Sequence, residues 1–289
     1  MTIKAKKLKS LVTGASGFIG YEVSRQLSRD GYRPRLMIRQ PGDDCEICRF
    51  DADITLADLK HPDSLRQAVK GVDGIIHLGA RATFESYIIL KPSILDGSIA
   101  LMEAGIEAGV RRFVYSSSLL VYSGQASPVT ADTQVNPLLD YGRIKVDTER
   151  RLSAMAASAG VAFTALRLPH VYGVRDLYFR HLQGGRLPSA WATFLEIVRQ
   201  HYPNARVLMF PQRLAPLATA LLTPFRRIRP NPGLETPGAV RSYNFNLAVD
   251  PDLLWQDLGL APRYETIYDG IPAAVASTRE TEILTTRLR

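Results

Sequence analysis

Cysteine is nearly absent from this chain. There are two, Cys45 and Cys48, in one C-x-x-C. A structural zinc site needs four ligands, and no second pair accompanies this one. A redox pair opens a helix in a thioredoxin-like unit, whereas this one sits in a polar stretch, so the thiols read as incidental. Nothing demands an oxidising compartment. Long apolar runs are missing too: none approaches the roughly 18 residues that span a bilayer. The basic start (Lys4, Lys6, Lys7, Lys9) leads into Leu11-Val12, which Thr13-Gly14 interrupts at once. That pattern is a strand, not a secretory core. A cytoplasmic protein is expected. The net charge is +8, but its positive residues are scattered. No recognisable nucleic-acid module goes with them, so a nucleic-acid partner is not expected.

Apolar residues are plentiful. They make up 46% of the 289, enough for a substantial core. Ser10–Val12 reads as a buried strand, the Gly-rich stretch 13–20 as a turn, and Tyr21–Asp30 as a helix ended by Gly31. Arg35–Ile38 is a second strand, Pro62–Lys70 a helix, and Gly74–Leu78 another strand. A helix follows over about 98–108, then the strand Phe113–Tyr115, a long helix over Asp140–Ala159 and the strand Val161–Leu166. This alternation argues for an α/β fold of Rossmann type, a doubly wound parallel sheet. The pattern changes after Gly173, where prolines cluster. The expected division is a dinucleotide-binding domain over 1–175 and a small C-terminal substrate lobe over 176–289. Trp191–Gln200 reads as a helix in that lobe. Leu214–Leu222, followed by Arg226, Arg227 and Arg229, fits a helix packed on the core better than one lying on a membrane.

The turn Gly14-x-x-Gly17-x-x-Gly20 follows a strand and opens a helix. The first glycine permits the tight turn. The second lets backbone approach a pyrophosphate, and the third lets helix and strand pack closely. The helix N-terminus then offers N–H donors and a positive dipole end. At the end of the second strand, an NAD-binding site usually carries an acid for the ribose 2′-hydroxyl. Here Ile38 and Arg39 stand there. A guanidinium suits a 2′-phosphate, so NADP(H) is preferred, with NAD(H) as the other option.

Tyr141 and Lys145 are four residues apart, hence one turn apart on a single helix face. A tyrosine with its ordinary pKa of about 10 exchanges protons poorly at neutral pH. A neighbouring ammonium and a positively charged nicotinamide favour the phenolate and are expected to lower that value. Ser116, Ser117 and Ser118 are expected just past the carboxyl end of a strand, where open α/β sheets bind ligands. A serine there can hydrogen-bond a substrate oxygen.

Together these pieces resemble the extended short-chain dehydrogenase/reductases, the NAD(P)-dependent epimerase/dehydratase group. The resemblance rests on Val-Thr-Gly-Ala-Ser-Gly-Phe-Ile-Gly (12–20), Ala-Asp-Leu (57–59), Gly-Val-Asp-Gly-Ile-Ile-His-Leu-Gly-Ala (71–80) and Ala-Gly-Val-Arg-Arg-Phe-Val-Tyr-Ser-Ser-Ser (108–118). Tyr-x-x-x-Lys (141–145) and Leu-Arg-x-x-x-Val-Tyr-Gly (166–173) follow in order. A weaker likeness returns near 253–270. The resemblance implies that Tyr141 is the general acid/base, that Lys145 holds the nicotinamide ribose, and that Ser118 is the catalytic hydroxyl. It implies cofactor contacts at Gly14, Ser16, Gly17, Phe18, Ile19, Gly20, Asp58, Leu59, Leu78, Gly79, Ala80, Ser116, Leu168 and Pro169. Substrate contacts are expected at Arg81, Ser118 and His170. It also implies a homodimer through helices at about 98–108 and 141–159. No metal is expected.

The departures shape the functional expectation. Ile94 stands where relatives have an asparagine. His170 replaces the asparagine with which sugar-nucleotide relatives contact substrate. Relatives carry several tens of residues after the Gly-Gly-Arg-Leu-Pro region (184–188), yet here Pro188 runs directly into a helix-like stretch. The substrate lobe is therefore expected to be trimmed, or the chain to carry an internal deletion. The favoured reading is an NADP(H)-dependent oxidoreductase interconverting a ketone and a secondary alcohol on a small, apolar substrate. The alternatives are a nucleotide-sugar epimerase or dehydratase with bound NAD, and a dinucleotide-binding regulatory protein with little catalysis.

Overall fold

The computed structural model describes residues 8–42, 46–79, 83–126, 128–130, 132–169, 171, 187–188, 200, 207–208, 259, 261, 269–274 and 276. Residues 191–199 and 214–222 lie outside them, as do Cys45, Ala80, Arg81 and His170. The chain divides into two units. One comprises Met1–Val121 and Pro137–Pro169, the other Tyr122–Asn136 and His170–Arg289.

The first unit is built on six parallel strands: β1 (Ser10–Thr13), β2 (Arg35–Ile38), β3 (Asp53–Leu56), β4 (Gly74–His77), β5 (Arg112–Ser118) and β6 (Ala162–Leu168). Their spatial order is β3-β2-β1-β4-β5-β6. The order reverses beside β1, between β1 and β4. Ligands bind open α/β sheets at such a switch point, beyond the carboxyl ends of the strands. The central strands carry apolar runs because both faces are covered. Leu11, Val12, Leu36, Met37 and Ile38 are all buried. At the edge, β3 leaves Ile54 and Leu56 exposed. It is only four residues long and begins with an acid, so its apolar signal in the sequence is weak.

Among the described residues of the first unit, the helices are α1 (Phe18–Arg29), α2 (Pro62–Ala68), α3 (Tyr87–Lys91), α4 (Gly97–Glu107) and α5 (Asp140–Ala159). A π-helical turn, Pro92–Asp96, joins α3 to α4. Such single turns occur often at functional sites. The α5 helix matches its sequence signal at both ends. Gly160, at φ +67°, terminates it in the left-handed conformation that favours glycine. Among the described residues, no helix is long and apolar enough to cross a membrane.

The second unit contains two short parallel strands, β7 (Leu187–Pro188) and β8 (Val207–Leu208). Near its start, Gly124 and Asn136 clasp one another. The Gly124 amide donates to the Asn136 carbonyl at 2.7 Å, and the Asn136 side-chain amide donates back at 3.0 Å.

Close backbone packing sets the shape of the first turn. A Cβ on Gly20 would stand 2.0 Å from the Gly14 carbonyl oxygen. Such overlap forces backbone to move, because neither partner is a flexible side-chain end. Gly20→Ala is therefore expected to cost about 2–3 kcal/mol, read as a lower urea midpoint with an unchanged slope. A midpoint equal to the unmodified chain would mean the turn is not packed in this way.

Candidate active site

The site starts at the end of β1. Gly14 adopts φ +67°, and a Cβ there would lie 2.8 Å from the Cα of Gly79. The Gly17 amide donates to the Gly14 carbonyl at 2.9 Å, and α1 begins at the next residue with Gly17 as its cap. Glycine has no side chain to satisfy the first-turn N–H groups, and no side-chain cap bond forms. Those donors and the positive end of the helix face the strand ends. A bare helix N-terminus of this kind suits an anion.

A buried hydrogen-bond chain fixes the neighbouring strand ends. The Gly79 amide donates to Thr13 Oγ1 at 2.9 Å. Thr13 Oγ1 lies 2.7 Å from His77 Nδ1, and His77 Nε2 lies 2.9 Å from Ser98 Oγ. The Ser98 hydroxyl donates to the Ile94 carbonyl. Its single proton is thus committed, so it must accept from His77 Nε2–H. His77 Nδ1 must then accept from the Thr13 hydroxyl. Every member is satisfied in one way only. Burial holds His77 neutral, with its pKa pushed down to about 3. The chain ties β1 and β4 to the π-helical turn. Sequence reading missed it, although a histidine within an apolar strand was its visible sign.

On the other side of the switch point, β5 and α5 meet. Ser116, Ser117 and Ser118 are not beyond the strand, as the sequence suggested. They are its last three residues, paired in register with Leu166, Arg167 and Leu168. The β6 strand continues two residues past its apolar stretch, and its parallel partner is extended with it. The Ser118 Oγ accepts the Leu120 amide at 3.2 Å and is half-buried. On α5, a Cβ on Gly142 would stand 2.5 Å from the Leu120 carbonyl oxygen. This glycine, also missed in the sequence, lets the first turn of α5 close on the strand end that bears Ser118.

Lys145 is 3% exposed. Its ammonium donates to the Ser116 carbonyl at 2.7 Å. It lies 4.7 Å from the ring centre of Tyr115 and 5.6 Å from that of Tyr141, so both rings add cation–π attraction. Burial nevertheless dominates and pulls the Lys145 pKa down to about 7, with Glu149 acting in the opposite direction. Tyr141 packs on Phe84 with ring centres 5.5 Å apart. Burial pushes its phenol up to about 12, and the lysine alone does not lower it. Without a further positive charge at the site, removing a phenolate from water outweighs an ammonium that is itself only partly charged.

The other candidates surround the same strand ends. Arg39 is exposed immediately after β2, while Ile38 is buried. Asp58 follows β3, and its carboxylate accepts the Lys60 amide at 2.9 Å. Leu59 is held close to α4, since a Cβ on Gly97 would stand 2.7 Å from the Leu59 Cβ. Leu78 and Gly79 follow β4, and Leu168 and Pro169 close β6; of these, Leu78, Gly79 and Leu168 are half-buried. Ser16, Phe18 and Ile19 lie in the 13–20 turn, all half-buried. No group of three His, Cys, Asp or Glu side chains among the described residues is arranged to hold a metal.

Burying an ammonium has a stability consequence with a defined sign. Between about pH 7 and 10.5 the folded chain binds fewer protons at Lys145 than the unfolded chain. Stability therefore rises with pH across that window, and the full cost applies below it. Lys145→Met is expected to stabilise the fold by roughly 2–4 kcal/mol near pH 6, with the gain shrinking toward pH 10. Denaturation at both pH values checks this; a gain that does not change with pH would contradict it.

Known proteins are similar to this chain in sequence and in fold. Residues 10–206 match the NAD dependent epimerase/dehydratase family. Dihydroflavonol 4-reductase of Zea mays is 32% identical over 223 residues, covering 68% of this chain and 60% of that one. An uncharacterised UDP-glucose epimerase of Bacillus subtilis, YtcB, is 29% identical over 201 residues, with 61% of each chain covered. The chain spans about a third to three fifths of the length of the curated relatives it matches. Among solved structures, MoeE5 in complex with UDP-glucose and NAD has the same fold, with a TM-score of 0.68 at 22% identity over 94% of this chain and 99% of that one. Because the family model matches residues 10–206, more than half its length, the chain belongs to the NAD dependent epimerase/dehydratase family.

Proposed function

We propose that this chain is an NADP(H)-dependent oxidoreductase that interconverts a ketone and a secondary alcohol on a small, apolar substrate. The observation that carries the reading is the Lys145 ammonium seated on the Ser116 carbonyl beside Tyr141. The same strand end bears Ser118. A costly buried cation beside a phenol and a hydroxyl has no evident purpose in packing alone.

The residues fit a nicotinamide dinucleotide. A Cβ at Gly14 or Gly20 would fill the space where the turn closes, and the start of α1 presents uncapped N–H groups. In this reading the 14–20 turn holds the pyrophosphate, with Ser16, Phe18 and Ile19 beside it. Asp58 and Leu59 flank the adenine. Leu78, Gly79, Ala80 and Ser116 line the path, and Leu168 and Pro169 lie near the nicotinamide. Arg39 takes the 2′-phosphate, a task suited to an exposed guanidinium fork. The bound cofactor supplies or accepts the hydride.

The chain's own residues align the substrate and move the proton. Ser118 donates a hydrogen bond to the substrate oxygen, and Tyr141 gives that oxygen its proton. A phenol held protonated by burial is a competent donor in the reductive direction, and in the oxidative direction the same oxygen takes the proton back. Lys145 holds the ribose, and its charge stabilises the phenolate that remains. Arg81 and His170 are assigned to the substrate side. The reductase relative in maize supports this reading. The epimerase relative and the UDP-glucose-bound neighbour favour a second one, a nucleotide-sugar epimerase with retained NAD.

Two experiments separate these readings. Fluorescence titration is expected to give at least about tenfold tighter binding of NADPH than NADH, equivalent to about 1.4 kcal/mol, with Arg39→Ala removing the preference. Equal affinities in the unmodified chain, or purification with stoichiometric NAD⁺ and epimerisation of a UDP-sugar, would overturn the proposal. Tyr141→Phe is expected to reduce ketone turnover by about 10²-fold or more while leaving NADPH affinity within about twofold. Undiminished turnover would remove Tyr141 from the chemistry.

A further inference from the structure

One buried ion pair close to the site has no part in the chemistry above. Glu149 lies one helical turn beyond Lys145 on α5, so the two share a face. Its side chain is 9% exposed. Arg167, 30% exposed, grips it: Nε donates to both carboxylate oxygens at 3.2 Å, and Nη2 donates to Oε2 at 2.7 Å. Arg167 stands on β6 opposite Ser117. The pair therefore links α5 to the end of β6, next to the strand residue whose carbonyl holds Lys145.

We infer that Glu149 is a positioning residue that keeps the Lys145 ammonium charged, and that Arg167 fixes the Glu149 carboxylate for this task. The groups facing Lys145 support it. From β4 comes His77, held neutral by burial. From β5 comes the Tyr115 ring, and from α5 the Tyr141 ring, both phenols kept protonated by burial. From β6 comes Arg167, already committed to Glu149. Of these neighbours, Glu149 alone brings negative charge. Burial works against the ammonium, and Glu149 works for it. A buried pair this close to a marginal cation sets its charge state as well as bracing the fold. A solely structural brace would need no carboxylate, since apolar residues of similar volume pack as well.

The inference matters for function only through the proposed role of Lys145, but its test needs neither cofactor nor substrate. The full-length chain is prepared with lysine carrying ¹³C at Cε. The Lys145 signal is assigned by its loss in Lys145→Met and followed from about pH 5 to pH 10. Glu149→Gln is expected to lower the Lys145 midpoint by about one pH unit. Glu149→Asp, which keeps the charge, is expected to hold it within a few tenths. Should Glu149→Gln fold poorly with Arg167 left unpaired, Glu149→Gln/Arg167→Gln removes both charges and is expected to lower the midpoint by less, because the positive charge that opposes the ammonium goes with the carboxylate. An unmoved midpoint in the glutamine variants, or an Asp variant that shifts as far as the Gln variant, would overturn the inference. NADPH titration of the same proteins distinguishes the two levels: a chain that never binds NADPH, yet shows the shift, refutes the proposed function and leaves this inference standing.

Discussion

An ammonium with almost no access to water is held on a strand carbonyl, and the geometry of the candidate site follows from that contact. Lys145 is brought to Ser116 by α5. The helix can approach because Gly142 removes the side chain that would strike the Leu120 carbonyl. The same approach sets Tyr141 beside Lys145 and Ser118 at the adjacent strand end. Burial then leaves the cation near its point of neutralisation and the phenol firmly protonated. The arrangement trades stability for a poised pair of groups, as functional sites often do.

The opposite side of the switch point uses different physics. Among the described residues, no charged side chain joins the strand ends there. Backbone is drawn close to backbone at Gly14, Gly20 and Gly79, and the single satisfiable pattern from Gly79 through Thr13, His77 and Ser98 to Ile94 locks that geometry. A neutral network is the stable way to join two strand ends beside the glycine turn, because a charged histidine would lose its hydration without gaining a partner. The π-helical turn is anchored by the last link, so the entry to α4 and the glycine turn are one connected unit.

Much of this was legible in the sequence because it depends on local patterns. The glycine spacing at 14, 17 and 20 specifies a turn in which a side chain at Gly14 or Gly20 would strike backbone. The spacing of Tyr141 and Lys145 places both on one helix face. The apolar runs of β1, β2 and β4 imply a sheet covered on both sides. What was not legible depends on tertiary contact. The strand β3 leaves both of its apolar residues, Ile54 and Leu56, facing water. Strand pairing with β6 draws Ser116–Ser118 into β5, which a turn-like serine run does not announce. The partners of His77 come from residues 64 and 21 positions away. The pKa of Tyr141 follows from how deeply it is buried, and a spacing rule carries no information on depth. Glu149, at helical spacing from Lys145, was visible in principle, but its grip by Arg167 required the β6 register.

The proposed function requires that a nicotinamide dinucleotide lie across the switch point, at the carboxyl ends of the strands of the first unit. Hydrogen–deuterium exchange of the full chain with and without NADPH tests it most directly. Slowing of exchange is expected to concentrate in the 13–20 turn, around Asp58 and Leu59, at Leu78–Gly79 and in the first turn of α5. Exchange unchanged by NADPH, or slowed only away from those strand ends, would contradict it.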